Sequence, residues 1–492
     1  MKALKSLCLF LLICSFTSCF FNTKFTGIRF ETDNAYIDAG EEAIVTICYV
    51  EEDVVNYSKK IDIAIYNGET QINSATITSG DRLHVKMPST EGEMRIIVAT
   101  AGTTTSRFAL ATKNSSISVT DRPIGFASVG AKEKFGGLAK GESYTVVKTR
   151  TELISAVKNG GIIYIEGMID MSDGMLPSTD GGSTTKLDEF VASKTSYANY
   201  ADWKKKETAV SASENKQFNL RNDYKNKIQL NLKSDTTLIG LDSNSGINSN
   251  SGIKGVAISI SNVENIAIRN LTLQDAYDPF PSHEANDGWN SLHDLIGIQG
   301  SSKNIWIDHC TLEDTMKLST AANGEKWQTY DGLCDMKASC KNITISNCIF
   351  RNHDKTMLIG SSDSDGSNET RHITICGNYF QNCGQRLPMV RNAKAHIFNN
   401  YYANVSGGFY STSYCIGNRA GALIVAENNY FSAGSSVSDS AGVVYASGNK
   451  GLGNSGDLET TFNPYDYYMY VKNAASTSPK TEAGAGKLDV IQ

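Results

Sequence analysis

Six charged side chains, Asp294, Asp331, Asp335, Lys355, Arg386 and Arg391, interrupt an otherwise apolar and small-residue repeat. Each stands in the segment just before one copy of a recurring strand. Asp294 precedes Ile305, Asp331 and Asp335 precede Ile343, Lys355 precedes Ile373, and Arg386 and Arg391 precede Ala395. If those copies stack, three carboxylates and three cations share one groove. In Asp331-Gly332-Leu333-Cys334-Asp335 the two acids are four residues apart on an extended segment, so alternation sends both to one face. Clustered carboxylates raise one another's pKa unless a cation sits among them. In an exported protein, oxygen-only ligation of this kind points to calcium. Taken alone, an Asp-x-x-x-Asp pair describes many solvated faces; convergence with Asp294 from the preceding copy is what singles this one out. On residue type alone, Arg386 reads as a surface or ladder arginine held by Asn or carboxylate partners.

The elements that must position these groups are visible as a repeat. Ile266-Ala-Ile268-Arg-Asn-Leu271-Thr-Leu273 returns as Ile305-Trp-Ile307-Asp-His-Cys310-Thr-Leu312 and as Ile343-Thr-Ile345-Ser-Asn-Cys348-Ile-Phe350. Further copies begin at Ile373, Ala395 and Ile424, giving intervals of 39, 38, 30, 22 and 29 residues. Unequal intervals around a constant strand suit the coils of a parallel β-helix whose loops differ in length. Coils about 4.8 Å apart would stack Leu273, Leu312, Phe350, Phe380, Tyr402 and Phe431 inside, in a quasi-one-dimensional core. Asn378, Asn400 and Asn429 would form an amide ladder continuing from Cys310 and Cys348, which read as small buried thiols, with a disulfide between coils as the alternative.

Asp294-Leu-Ile-Gly-Ile, Ile305-Trp306-Ile307-Asp308-His309, Asp331-Gly-Leu-Cys-Asp335 and His353-Asp-Lys355 occur in this order, followed by Arg386-Leu-Pro388-Met-Val-Arg391 and Asn399-Asn400-Tyr401-Tyr402. From about Gly125 to Phe431 the chain thereby closely resembles the polysaccharide lyase family 1 pectate lyases. The resemblance implies a right-handed parallel β-helix and calcium-dependent β-elimination on polygalacturonate, giving 4,5-unsaturated oligogalacturonides. It implies Asp294, Asp331 and Asp335 as Ca2+ ligands, Lys355 and Arg391 as binders of substrate carboxylates, and Arg386 as the base that removes the C5 proton. Some members carry another acid two positions before the first ligand; here Leu292 stands there, which implies a leaner calcium shell. The Trp306 to His309 signature is read as strand packing and hydrogen bonding. Because a guanidinium keeps its proton far above neutral pH, a basic Arg386 implies activity rising toward alkaline pH, its neutral form favoured by calcium, Lys355 and Arg391.

The rest of the chain frames this unit. Lys2 and Lys5 followed by the apolar Leu7–Ile13 run read as an export signal over residues 1–19. Phe16-Thr17-Ser18-Cys19 resembles a bacterial lipobox with Phe where Leu is usual, so the protein is expected to be exported and lipid-anchored through Cys19, at the cell surface or the periplasmic face. Ordinary signal cleavage nearby is the alternative. Short alternating runs over 25–112, such as Ile61-Asp62-Ile63-Ala64-Ile65, predict an Ig-like β-sandwich, either a spacer or a carbohydrate-binding module. Residues 113–122 read as a linker and 123–492 as the β-helix, interrupted at 171–227 by an insertion with a helical piece from Leu187 to Lys206.

With 46 basic and 52 acidic side chains the net charge is −6, which excludes global attraction for nucleic acid or an acidic polymer and leaves substrate capture to a local patch. A monomer is expected, touching the membrane only through its anchor. Three carboxylates argue against a pectin lyase acting on neutral, methylated substrate. The absence of Gly-His-Gly argues against a β-helical polygalacturonase. A non-catalytic surface protein binding acidic glycans would be expected to lack Arg386, Lys355 or one of the calcium acids, and none is missing.

Overall fold

The recurring strand of the sequence is the recurring strand of the fold. The computed structural model describes residues 25–209, 215–241, 251–285 and 287–491. In it, ten strands from Tyr144–Val147 to Val443–Ser447 stack in parallel as a first sheet. The register carries Ile266, Ile305, Ile343, Ile373, Ala395 and Ile424 in one line. Two eight-stranded parallel sheets complete each coil. The second runs from Met168–Asp170 to Tyr430–Phe431, and the third from Gln229–Asn231 to Ser435–Ser438. One coil visits the third, first and second sheets in turn, as in Ile296–Gln299, Lys303–Asp308 and Thr311–Glu313. The protein is an all-β parallel β-helix with a few short helices.

The corner between first and second sheets needs a left-handed residue, with φ of 53° at Asn270, 51° at Asn347, 56° at Asn399 and 53° at Asn428. That conformation costs an ordinary L-residue about 1–2 kcal/mol and Asn or Gly less, which explains the repeated Asn there and Gly377 in one copy, while His309, at φ 48°, holds the same position in another. Just beyond the corner, Asn378 Nδ2 donates to Asn400 Oδ1 at 3.0 Å, Asn400 to Asn429 at 2.9 Å, and Asn429 to Asn449 at 3.0 Å. The ladder ends on Cys348, whose N–H donates to Asn378 Oδ1 at 2.8 Å. All eight cysteines among the described residues are buried and unbridged. Inside, Phe350, Phe380, Tyr402 and Phe431 stack with centroids 5.0, 4.9 and 4.7 Å apart, and Leu273 and Leu312 continue their register.

Residues 27–112 form a four-stranded and a five-stranded sheet that share an apolar core of Ile28, Val45, Ile63, Ile97 and Phe108. The 113–122 segment, read as a linker, carries a short strand, Ser116–Ser118, paired in parallel with Asp489–Ile491. The insertion departs from expectation. Its helical piece is two helices, Thr185–Lys194 and Tyr200–Glu207, because Thr184 and Asn199 each cap a new N-terminus through their side chains. A third helix, Asn215–Ile228, was not expected at all. Together they pack Phe190, Tyr200, Trp203 and Tyr224 against Phe280, Trp289 and Trp327 of the β-helix loops. The export leader and Cys19 lie outside the described residues. No helix among the described residues is long and apolar enough to cross a membrane.

Candidate active site

All six charged residues of the sequence pattern flank the third sheet on four successive coils. Asp294 precedes Ile296–Gln299, Asp331 and Asp335 flank and enter Cys334–Met336, Lys355 precedes Leu358–Ile359, and Arg386 and Arg391 bracket Met389–Val390. Gly297 pairs with Asp335 and Leu358 with Met389, so the sheet offers one continuous floor along the axis.

Oxygen atoms of Asp294, Asp331 and Asp335 lie within 4.8 Å of one another. Simple alternation is not what joins the last two. Leu333, of the same parity, is buried inside, and a bend at that residue brings Asp331 back to the face of Asp335. Gly332 makes the bend possible, since a Cβ there would stand 2.3 Å from Asp335 Oδ1. Gly332 N–H donates to Asp294 Oδ1 at 3.2 Å, and Leu358 N–H to Asp335 Oδ1 at 3.0 Å. Burial pushes the Asp294 carboxyl well up, and the charges of Asp335 and Asp331 push it further. Burial raises Asp335 too, against the pull of Lys337. Such a cluster demands positive charge. Lys337, which the sequence reading passed over, supplies some of it, with Nζ 2.9 Å from Asp294 Oδ2 and 3.1 Å from Asp335 Oδ2. Its position two residues after Asp335, on the same face of the strand, is the signal that could have found it.

The cations divide into committed and uncommitted groups. Lys355 Nζ sits 2.8 Å from Asp331 Oδ1 and donates to Asn290 Oδ1 at 2.9 Å. Although burial opposes ionisation, this partner holds the Asp331 carboxyl below its ordinary range. Beneath it, His353 Nε2 donates to the Asp331 carbonyl at 2.8 Å while Nδ1 faces Asp314 Oδ2 at 2.7 Å. Both ring nitrogens meet acceptors, and against the effect of burial the Asp314 carboxylate lifts the imidazole pKa. Arg391 Nε pairs with Asp363 Oδ1 at 2.9 Å, and Nη1 donates to the Gly360 carbonyl at 3.2 Å. Asp363 is itself exposed, so this pair is open to exchange with another carboxylate.

Arg386 differs from both. Its backbone sits at φ 61°, its carbonyl accepts from Met357 N–H at 2.8 Å, and its own neighbour Leu387 N–H donates to Cys415 O at 2.7 Å. Those bonds fix a costly left-handed conformation from two adjacent coils. The side chain stands near enough to Asp331 and Tyr414 to favour their ionised forms, yet its Nε is buried with no hydrogen-bond partner among the described residues.

By contrast, the Trp306 to His309 segment is tied into the first sheet on another side of the coil. Ser346 Oγ donates to Asp308 Oδ1 at 2.7 Å, and Arg269 pairs with Asp308 Oδ2 at 3.0 Å while lying 4.1 Å over the Trp306 ring. Burial opposes the Asp308 charge, but His309 and Arg269 hold its pKa well below the usual carboxylate range.

Residues 183–480 match the family model described as Pectate lyase. The chain is 31% identical over 414 residues to the pectate lyase of Bacillus subtilis (strain 168), covering 74% of this chain and 94% of that one. A solved pectate lyase from Acidovorax avenae subsp citrulli superposes with a TM-score of 0.62 at 26% identity, over 77% of this chain and 97% of its own. A pectate lyase bound to a hexasaccharide superposes with a TM-score of 0.58 at 28% identity, over 75% of this chain and 98% of its own.

Proposed function

The chain belongs to the pectate lyase family, and on that premise we propose that it cleaves polygalacturonate by calcium-dependent β-elimination in the groove over the third sheet, with Arg386 as base. The observation that carries this reading is Arg386 itself. It is a guanidinium held in a costly backbone conformation, beside a carboxylate cluster, with its buried Nε uncommitted among the described residues.

The donor set fits a calcium ion. It is oxygen-only, drawn from two coils, and so crowded that burial and mutual repulsion raise Asp294 and Asp335. Asp294, Asp331 and Asp335 would hold the ion. Bound there, such an ion would supply Lewis-acid chemistry, drawing electron density from a uronate carboxylate so that the adjacent C5–H becomes more acidic.

The chain's own groups do the rest. Lys355 and Arg391 hold uronate oxygens and stabilise the negative charge that develops as C5 loses its proton. Lys337, between Asp294 and Asp335, adds positive charge to the same field. Arg386 takes the C5 proton. The electron pair of that bond becomes the C4–C5 double bond, and the glycosidic oxygen leaves C4 with its bonding pair and is protonated from solvent. A guanidinium accepts a proton only after losing one, so the rate climbs toward alkaline pH.

Arg386→Ala tests the assignment. It is expected to lower kcat by about 10²- to 10⁴-fold, the usual range for a general base, while binding of polygalacturonate persists. Activity within about tenfold of the parent would remove Arg386 from the chemistry. The leader supports action outside the cytoplasm, on a lipid anchor at Cys19.

A further inference from the structure

The third helix of the insertion, Asn215–Ile228, brings one cation to the groove. Lys225 Nζ donates to the Leu292 carbonyl at 2.9 Å. Leu292 lies two residues before Asp294, and its own side chain is 46% exposed and apolar. Lys225 is partly buried there, and burial lowers its pKa, an effect that Asp294 and Asp278 offset only in part. A lysine ammonium has three donors, and the Leu292 carbonyl takes one.

The floor beside it is open. In the third sheet Asn231, Ser259, Gly297 and Asp335 follow one another in register, so the column leading away from the carboxylate cluster is floored by a hydroxymethyl group and a bare backbone. A Cβ at Gly297 would stand 3.4 Å from Asp294 Oδ2, in the space that now connects the cluster to a cleft of about 110 Å³. Lys225, Gln229, Ser259, Asp294, Gly297 and Gln299 line that cleft. The groove therefore continues past the carboxylates over the two preceding coils. A polyuronate carries a carboxylate on every unit. Lys355 and Arg391 can meet those on one side of the cluster. On the other side, the cation lining the cleft is Lys225.

We propose that Lys225 is a further substrate-binding residue, which holds the carboxylate of the uronate unit lying over Ser259 and Gly297, while Gln229 and Gln299 face its hydroxyl groups. This rests on the lyase reading, in that it extends the same groove. It gives the insertion a function: its aromatic cluster of Phe190, Tyr200, Trp203 and Tyr224 anchors a helix whose exposed edge supplies the charge.

The test compares Lys225→Ala, Lys225→Arg and Lys227→Ala, an exposed lysine on the same helix, with the parent on polygalacturonate at saturating calcium. Lys225→Ala is expected to raise KM about tenfold, the loss of one charge-assisted hydrogen bond, with kcat moved less than twofold. Lys225→Arg should restore most of the affinity, and Lys227→Ala should leave KM alone. Titration of saturated oligogalacturonate into Arg386→Ala and Arg386→Ala/Lys225→Ala proteins reads the same contact without turnover, and should give about a tenfold difference in Kd. Equal affinities would overturn the assignment even if lyase activity is intact. A rise in KM accompanied by a matching fall in Tm, with no rescue by Arg, would overturn it too and make Lys225 a strut between helix and loop. Absence of an unsaturated product from the parent would instead strike the lyase reading, and leave the Kd comparison to judge Lys225.

Discussion

At the scale of single residues the groove is a problem in charge balance. Asp294 and Asp335 are raised by burial and by neighbouring carboxylates, so they take up protons at a higher pH than an exposed carboxylate does. Calcium must displace those protons. Half-saturating calcium is therefore expected to rise as pH falls into the mildly acidic range, which calcium titrations of initial rate at several pH values will measure. Asp335→Asn removes one charge and one of the raised groups; it should weaken calcium activation by at least about tenfold and flatten that pH dependence. The six residues of the pattern were legible because each breaks an apolar repeat at the same place. The parts played by Asn290 and His353 were not, since an asparagine in a loop and a histidine beside a lysine acquire meaning only when Lys355 and Asp331 arrive from other coils.

Elements hold these groups in place by repetition, and repetition predicts where damage spreads. Asn400 receives from Asn378 and donates to Asn429 with every group buried. Asn400→Leu would remove the acceptor that the Asn378 backbone N–H and Nδ2 share and the donor to the Ile375 carbonyl, and a loss of about 2–4 kcal/mol is expected in denaturant unfolding. A second buried network ties the C-terminal segment to the first sheet. Glu427 accepts from Tyr470 Oη at 2.8 Å and from His396 Nε2 at 3.1 Å, and pairs with Lys472 Nζ at 3.0 Å. Burial alone would raise its pKa, but Lys472 and His396 depress it from 4.5 to about 2. A depressed carboxyl stabilises the fold above its unfolded value, and that contribution fades as pH falls from about 4.5 toward about 2. Thermal melts across that window should show a steeper loss of Tm in the parent than in Glu427→Gln, which already lacks the charge at neutral pH. The coils could be read from sequence because six strands share one residue pattern at unequal intervals. The insertion could be read only in part. Its helices have weak apolar periodicity, and their packing partners, Phe280, Trp289 and Trp327, come from loops that carry no repeat.

For the whole molecule, a net charge of −6 means that attraction for polyuronate is built locally, from Lys337, Lys355, Arg386, Arg391 and the added Lys225, and screened by salt. The N-terminal sheets lie far along the chain from that groove and contribute none of its groups. We propose that they serve as a spacer between a lipid anchor and the catalytic coils. Metabolic labelling with a fatty acid should mark the full chain and not Cys19→Ala, and labelling of both would refute the anchor. The claim that unites the three scales is that the groove eliminates rather than hydrolyses. It is met most directly by digesting polygalacturonate in heavy-oxygen water, with calcium and with chelator, and weighing the products. Elimination predicts oligomers whose new non-reducing ends are unsaturated, absorb in the ultraviolet and carry no solvent oxygen, formed only with calcium. Saturated fragments bearing one heavy oxygen at each new reducing end, or an uncut polymer that merely binds, would contradict it.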